Sequence, residues 1–388
     1  MSVAVRVLIG FADAFAAVES AWSLADAGFE VFAFARAGTR PPLLSSRVVR
    51  TVFVTAPEAD AHACARDVAA LAVRVGAQVL LPLDDLAVWV CDAMRCTLPP
   101  AVRVAGPTGD AGRFALDKRE QLAQARAAGF AVPARGEQGP WMVKCGLAVV
   151  ERDGRLVRPA GRLARTAEQV GAVAERIGGP VVVQRALTGV GEGVFGFAHG
   201  GGITGWSAHR RIRMANPRGS GSSACRSIDV AEPVRAHAEK LMAGVGWRGM
   251  FMVELLRDAD GVPWFMEVNG RAWGSMALAL RRGYDYPLWA VRQALDPDFR
   301  PASGPAEAPH VVCRHLGREL IHLAAVLRGP TGADVGRWPK RGRTLREMRF
   351  SRADRWYNAR RGEARVFVRD TWSALVGEMA GRLRRGRS

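Results

Sequence analysis

Residues 253–271 read Val253-Glu254-Leu255-Leu256-Arg257-Asp258-Ala259-Asp260-Gly261-Val262-Pro263-Trp264-Phe265-Met266-Glu267-Val268-Asn269-Gly270-Arg271. Apolar runs flank Asp258-Ala-Asp-Gly261, which is turn chemistry, so the stretch predicts antiparallel strands at Met250–Leu256 and Pro263–Val268. Side chains alternate across a strand, which puts Glu267 and Asn269 on one face. With the turn centred between Ala259 and Asp260, Glu254 falls opposite Phe265 on that same face, diagonal to Glu267. A turn longer by one residue would break this parity. Both glutamates sit inside apolar runs, where an unpaired carboxylate is costly. Two carboxylates and an amide oxygen on one face make a hard-oxygen site of the kind magnesium takes, with positions left for phosphate and water. Glu254, Glu267 and Asn269 are therefore the candidate ligands for Mg2+, with Mn2+ as an alternative ion.

Working outward, Arg271-Ala-Trp-Gly-Ser275 follows the second strand directly. Ser275 can cap a helix over 275–282, and Arg271 is the candidate for binding a substrate carboxylate. Upstream, His199-Gly-Gly-Gly202 joins two further strands, 194–199 and 203–210. The second continues as His209-Arg210-Arg211-Ile-Arg213, followed by Asn216-Pro-Arg-Gly-Ser-Gly-Ser-Ser-Ala-Cys-Arg226. Arg211 and Arg213, two apart on a strand, are expected to share a face and to neutralise a carboxylate and a transferred phosphoryl group. The Gly/Ser run can turn backbone N–H groups toward an anion.

The first hundred residues have a different rhythm. An apolar strand at 4–9 precedes a helix whose apolar face carries Ala16, Ala17, Ser20, Leu24 and Ala27, then a strand at 29–34 and a helix at 61–75. Val79-Leu-Leu81 is a buried strand, and Asp84 caps the next helix. Such alternation predicts a parallel α/β sheet. The first turn, Gly10-Phe-Ala-Asp-Ala, lacks the Gly-x-Gly-x-x-Gly of a dinucleotide site, which argues against a dehydrogenase. From Gly106-Pro107 a second unit begins. It has a helix from Asp117-Lys118 to Gly129, strands at 141–144 and 180–184, and a helix capped by Thr166 and ended by Gly178. A unit this small reads as a mobile lid. The divisions are thus 1–105, a parallel α/β domain; 106–187, a lid; 188–300, a central antiparallel-sheet domain; and 301–388, a basic, helical C-terminal extension.

Taken in order, these stretches resemble the ATP-grasp superfamily, of the carboxylate–amine ligase kind and like the ATP-grasp domain of the carbamoyl phosphate synthase large chain. The resemblance spans residues 80–290. It rests on Leu81-Pro-Leu-Asp-Asp85, Asp117-Lys118, Gly129-Phe-Ala-Val-Pro133, Met142-Val-Lys144, Val183-Gln184-Arg185-Ala-Leu187-Thr-Gly189, Glu254 and Glu267-Val-Asn269. It implies that ATP is bound by Lys118 and Lys144, two of only four lysines in the chain. It also implies that Gln184, Arg185 and Leu187 form an adenine-binding hinge, with Glu192 near the ribose. The implied activity is ATP- and Mg-dependent joining of a small-molecule carboxylate, such as an amino acid, to an amine through an acyl phosphate. The chain departs from the pattern at Arg185, where the family usually has Glu, and after Lys144, where Cys145-Gly-Leu-Ala-Val-Val-Glu-Arg-Asp-Gly154 has no glycine cluster to clamp phosphate.

Composition bounds the alternatives. Of 388 residues 49% are hydrophobic and 24% charged, as in ordinary globular chains. No apolar run approaches the ~20 residues of a membrane helix. Together with a start that reads as a strand, this predicts a cytoplasmic protein. The six cysteines lack metal or disulfide spacing, and His62, His199, His237, His310, His315 and His322 lack partners at ligand spacing. The net charge is +18, but residues 331–388 hold 16 basic and 6 acidic residues, more than half of that excess. A polyanion-binding module is therefore one alternative, and an ATP-binding protein without ligase turnover is another. Nucleic acid is the less expected partner, because Trp338, Trp356, Tyr357 and Trp372 predict a tail packed on the body. A homodimer is compatible with the sequence.

Overall fold

In a computed structural model, the described residues are 4–385 except 218, 220, 306 and 331–337, with side chains described as far as 379. The chain begins with β1 (Arg6–Gly10), α1 (Ala17–Asp26), β2 (Glu30–Arg36), β3 (Val49–Val54), α2 (Ala61–Val75), β4 (Val79–Pro82), α3 (Asp85–Met94) and β5 (Arg103–Val104). These strands form one parallel sheet in the order β3-β2-β1-β4-β5. Asp60 and Asp84 cap α2 and α3 by accepting backbone N–H bonds from Ala63 and Ala87, and Gly76 ends α2 in the left-handed region. The helix stops one residue before Ala27, which is exposed. The edge strand β3 shows no alternation in sequence, because its exposed residues Arg50 and Phe53 fall on opposite faces.

Next come α4 (Asp110–Leu116), α5 (Lys118–Ala128), β6 (Trp141–Cys145), β7 (Val150–Arg152), β8 (Arg155–Val157), β9 (Arg162–Ala164), α6 (Ala167–Ile177) and β10 (Val181–Arg185). The sheet β10-β6-β9 and α6 enclose a small core of Trp141, Val143, Cys145, Ala164, Val170 and Ile177. The helices α4 and α5, which the sequence reading put with this unit, pack elsewhere. Phe114, Leu122, Ala125 and Ala128 join the core of the central sheet.

That sheet is built from β11 (Val190–His199), β12 (Gly202–Met214), β13 (Ser222–Ile228), α7 (Glu232–Gly244), β14 (Gly249–Arg257), β15 (Pro263–Asn269), α8 (Met276–Arg281), α9 (Tyr286–Leu295), β16 (Val312–Arg314), α10 (Leu316–Arg328), α11 (Arg341–Glu347), β17 (Asp354–Trp356) and α12 (Ala364–Arg385). Its order is β15-β14-β11-β12-β13-β16-β17. The last two strands come from the expected C-terminal extension, which is therefore part of the sheet and not only a helical appendage. Tyr357 is buried and Trp356 stacks on Phe350, whereas Trp372 is 64% exposed, against the expectation that all these aromatics pack inward. One face of the sheet is covered by α5 and α7, around Val194, Phe251, Val253, Leu255 and Phe265. The other face meets the N-terminal domain, through Phe195, Met250, Met252 and Trp273. The described residues include no helix long and apolar enough to cross a membrane.

Candidate active site

The hairpin of β14 and β15 corrects the expected register in an instructive way. Leu256 pairs with Trp264 and Leu255 with Phe265, so the turn is one residue longer than expected. A bulge then follows, and Glu254 pairs directly with Glu267, leaving Met266 as the extra residue. The longer turn alone would have sent the acids to opposite faces, and the bulge restores the parity. Phe265 consequently points into the core on the far face, not toward Glu254. The two glutamates are direct cross-strand neighbours, and Asn269 pairs with Met252 on the same strand pair.

Asn269 is 6% exposed and, two residues on from Glu267, lies on the same face of the strand. The described residues contain no set of three or more His, Cys, Asp or Glu side chains arranged around one point. Two carboxylates and one amide oxygen instead suit an ion that keeps water and phosphate among its ligands. Gln121, absent from the sequence reading, holds this strand in place. Its amide accepts from Val268 N at 2.9 Å and donates to Val268 O at 3.1 Å, between the two ligating positions. A lone Gln in an amphipathic helix gives no sequence signal of such a role.

Positive groups surround the acids. Lys118, the first residue of α5, reaches Glu267 at 3.1 Å, with Asp117 capping the helix beneath it. Burial pushes the Glu267 carboxyl up, but Lys118 and Arg271 outweigh it and hold the carboxyl below its ordinary range. Lys144, on β6, makes no ion pair among the described residues. Burial and then the like charge of Lys118 push its ammonium down. Glu267 and Glu254 push the Lys144 ammonium the other way, as they do that of Lys118.

Arg211 reaches Glu254 at 2.8 Å, crossing the intervening strand β11 at Gly191. A Cβ at Gly191 would lie 2.7 Å from Arg211 Cδ, so glycine there is what lets the guanidinium lie across the sheet. Gly191→Val should displace Arg211 and lower turnover by up to ~100-fold, the loss typical of one preorganised charge contact. Arg211→Gln should match it, and the double variant should be no worse than either. Additive losses would separate the glycine from the arginine.

Arg213 corrects its expected role. A bulge in β12, opposite β13, falls between Arg211 and Arg213, so the two do not act together. Arg213 is buried and binds Glu319 of α10 through Nε at 2.9 Å and Nη2 at 2.7 Å. Arg314 binds the same carboxylate at 2.9 Å, so Arg213 is structural. The Glu192 carboxylate is 1% exposed and paired with Arg210 at 2.5 Å and Arg257 at 2.8 Å. Strand alternation turns it away from Gly191, Gly193 and Glu254, which corrects the ribose reading. Ser275 makes no capping bond to α8. Its hydroxyl bonds His209 Nδ1 at 2.6 Å, in a buried site that pushes the His209 imidazole down to about 3. Burial and then Arg211 cause that shift, so the ring is neutral.

At the hinge, Gln184 is buried and donates to Pro133 O at 3.2 Å, while the Arg185 guanidinium lies over the Trp264 ring at 4.5 Å. The backbone N–H groups of Arg185 and Ala186 are taken by Ala134 and Pro140, and that of Leu187 has no acceptor among the described residues. Where the sequence lacks a glycine-rich loop, β7 and β8 form a hairpin turning at Asp153-Gly154. Val149 and Leu156 sink into the core of the N-terminal domain, Leu156 N donates to Pro57 O at 2.8 Å, and Glu151 meets His62 at 2.9 Å. In the Gly/Ser run, Ser222 and Ser223 spend their hydroxyls on Arg213 O, Ala224 O and Glu319, and positions 218 and 220 lie outside the described residues.

A cleft of about 1710 Å³ opens between the strand ends of the N-terminal domain, Arg271–Gly274, and α12, and Arg271 is the residue it shares with the charges around the acid pair. Arg271 holds Asp85 at 2.8 Å, and Arg36 binds Asp13, Glu58 and Asp84 at 2.6, 3.0 and 2.9 Å. Burial pushes Asp85 up, but Arg271 outweighs it and leaves the carboxyl lowered. Asp84 was expected as a cap and Asp85 as part of the resemblance, but the ion pairs of these N-terminal acids have no sequence signal, because their partners lie far away in the chain.

The geometry can now be set beside known proteins. A family model described as "ATP-grasp in the biosynthetic pathway with Ter operon" matches residues 206–313. Among solved structures, the chain is similar to the biotin carboxylase of Campylobacter jejuni in a β-γ-ATP complex, with TM-score 0.61, 13% identity, and coverage of 79% of this chain and 74% of that one. The fold is the ATP-grasp fold. Two further structures similar in fold are N5-carboxyaminoimidazole synthetase of Staphylococcus aureus (TM-score 0.59, 14% identity, 83% and 84% coverage) and L-amino acid ligase of Bacillus licheniformis (0.54, 16%, 77% and 78%). None of the curated proteins matches this chain in sequence.

Proposed function

We propose that this ATP-grasp chain is an ATP- and Mg2+-dependent ligase that joins a small-molecule carboxylate to an amine through an acyl phosphate. The observation that carries the reading is one convergence. Lys118, Lys144, Arg211 and Arg271 gather about Glu254, Glu267 and the Asn269 that shares their strand pair. Four cations against Glu254, Glu267 and Asp85 leave a positive site, as a polyphosphate needs. The likeness of fold to proteins named a ligase, a synthetase and a carboxylase with an ATP compound is consistent with it.

Carboxylates do not acylate amines at neutral pH, because the oxygen is a poor leaving group. In the proposed reaction a substrate carboxylate oxygen attacks the γ-phosphorus, and the bond to the β–γ bridging oxygen breaks, releasing ADP with the electron pair. A neutral amine nitrogen then attacks the acyl carbon. The C–N bond forms, the carbon–phosphate oxygen bond breaks, phosphate leaves, and the nitrogen loses a proton. Lys118 and Lys144 bind phosphate oxygens, Lys118 exchanging Glu267 for them, and Arg211 offsets the charge growing on the transferred group. Arg271 exchanges Asp85 for the substrate carboxylate. Glu254, Glu267 and Asn269 hold Mg2+, which supplies positive charge to the phosphate oxygens. Gln184, Leu187 and the hinge backbone hold the adenine, with Arg185 parked on Trp264.

The test is ADP release by the full chain with ATP, Mg2+ and pairs drawn from a panel of amino acids and amines. Release that requires both a carboxylate and an amine is the expected result. The hairpin standing where the family has its glycine loop favours a second reading, ATP binding without turnover. Thermal stabilisation by MgATP with no ADP from any pair would select that reading. Salt-dependent binding of RNA or DNA, indifferent to MgATP, would instead select the polyanion reading.

A further inference from the structure

The cleft that Arg271 lines is also lined by an arginine of the C-terminal segment. Arg318, on α10, is pressed against the Phe15 ring, its guanidinium carbon 3.7 Å from the ring centre. Of its five N–H donors, the structure uses one, from Nη1 to Ser222 O at 3.1 Å. It has no carboxylate partner among the described residues. The other interior arginines that line the cleft do, Arg36 with three acids and Arg271 with Asp85. The acid nearest in the fold, Asp370 of α12, is spent on His315 at 2.9 Å and on Asn358 at 2.8 Å. Burial pushes the Arg318 guanidinium down, the sign of a charge held without sufficient compensation. Arg369 of α12 faces the same cleft, also without an acidic partner among the described residues.

Packing fixes the position of this group. Gly317 brings α10 against α12, since a Cβ there would lie 2.8 Å from Thr371 O, and Gly221 brings the β12–β13 loop within reach of Arg318 Nη1. The C-terminal segment therefore forms a wall of the cleft that Arg271 also lines. A planar guanidinium lying flat on an aromatic ring presents its edge, the geometry that grips a carboxylate or phosphate with two parallel bonds.

We propose that Arg318 binds a second anionic group of the carboxylate substrate, so that the molecule activated near Arg271 carries two anions, the second a carboxylate or a phosphate. This rests on the ligase reading for which end reacts, but binding can be measured without turnover. Calorimetry on the full chain with Mg2+ and a non-hydrolysable ATP analogue would compare L-glutamate with L-glutamine, and O-phospho-L-serine with L-serine. At least one doubly anionic probe should bind ~10-fold or more tightly than its neutral counterpart, the worth of one charge-assisted contact. Which pair discriminates tells carboxylate from phosphate. Arg318→Gln should erase the difference while leaving binding of the ATP analogue unchanged. Arg318→Lys, which keeps the charge and loses the fork, should retain only part of it and serves if the Gln variant does not fold. No discrimination by either pair, or discrimination that survives in both variants, overturns the proposal. Absence of ADP formation with discrimination intact would overturn the ligase reading alone.

Discussion

Glu267→Gln is expected to lower ATP-dependent turnover by ~100- to 1000-fold, because it removes charge from the proposed metal site and from the partner of Lys118 in one step. The change is nearly isosteric, and the amide oxygen can still accept from Lys118, so the fold should survive. The loss should come with a higher Mg2+ requirement, which a purely structural residue would not produce. Asn269→Ala should move in the same direction by a smaller factor, since it removes a neutral ligand. Turnover within a few-fold of the parent at saturating ATP, with an unchanged Mg2+ dependence, would remove Glu254, Glu267 and Asn269 as the metal site. A thermal melt of each variant separates loss of chemistry from loss of fold.

The largest effect on stability is expected at Glu319. Its carboxylate is 1% exposed and serves Arg213, Arg314 and the Ser223 hydroxyl, with Asp354 completing the network at 3.0 Å from Arg314. Glu319→Ala would leave Arg213 buried without a carboxylate and Arg314 with only Asp354, so it should cost ~3–5 kcal/mol in chemical denaturation. Arg213→Met combined with Glu319→Met should cost less than Glu319→Ala, because removing paired charges together leaves fewer orphans. The same carboxylate gives a pH dependence whose sign is set by its shift. Burial pushes Glu319 up, but Arg213, Ser223 and Arg314 outweigh it, so its folded pKa lies below the unfolded value. Its stabilisation is therefore complete above the unfolded pKa of ~4.3 and is lost as the pH falls through the folded value. Acid unfolding should begin at higher pH in a variant with Arg213 weakened to Lys. If Glu319→Ala melts like the parent, the network is not what holds the C-terminal strands to the sheet.

Much of the site was legible because it depends on periods and local chemistry. Strand alternation alone put Glu267 and Asn269 together, Asp84 and Thr166 announced their helices, and lysine scarcity drew attention to Lys118 and Lys144. The misread side chains share one cause, which is that each has a partner distant in sequence. Arg213 and Glu192 looked available because their acids and bases lie on other strands or on α10, and Ser275 looked like a cap because His209 was out of view. The strands β16 and β17 escaped notice because three residues each are too few to show alternation.

The register of the acid hairpin divides the two kinds of information. By itself the sequence determined which residues carry charge and which faces they take along a continuous strand, since these follow from the covalent period of the chain. It could not determine where a strand yields one residue to its partner. That choice depends on what lies beneath it, here Phe265 filling the core below α5 and Gln121 holding Val268, and only the tertiary structure decided it. The same holds for Arg211, which can cross the sheet because Gly191 on a neighbouring strand leaves room, and for Arg318, whose lack of a carboxylate partner among the described residues becomes visible only once α10, α12 and Phe15 are packed together.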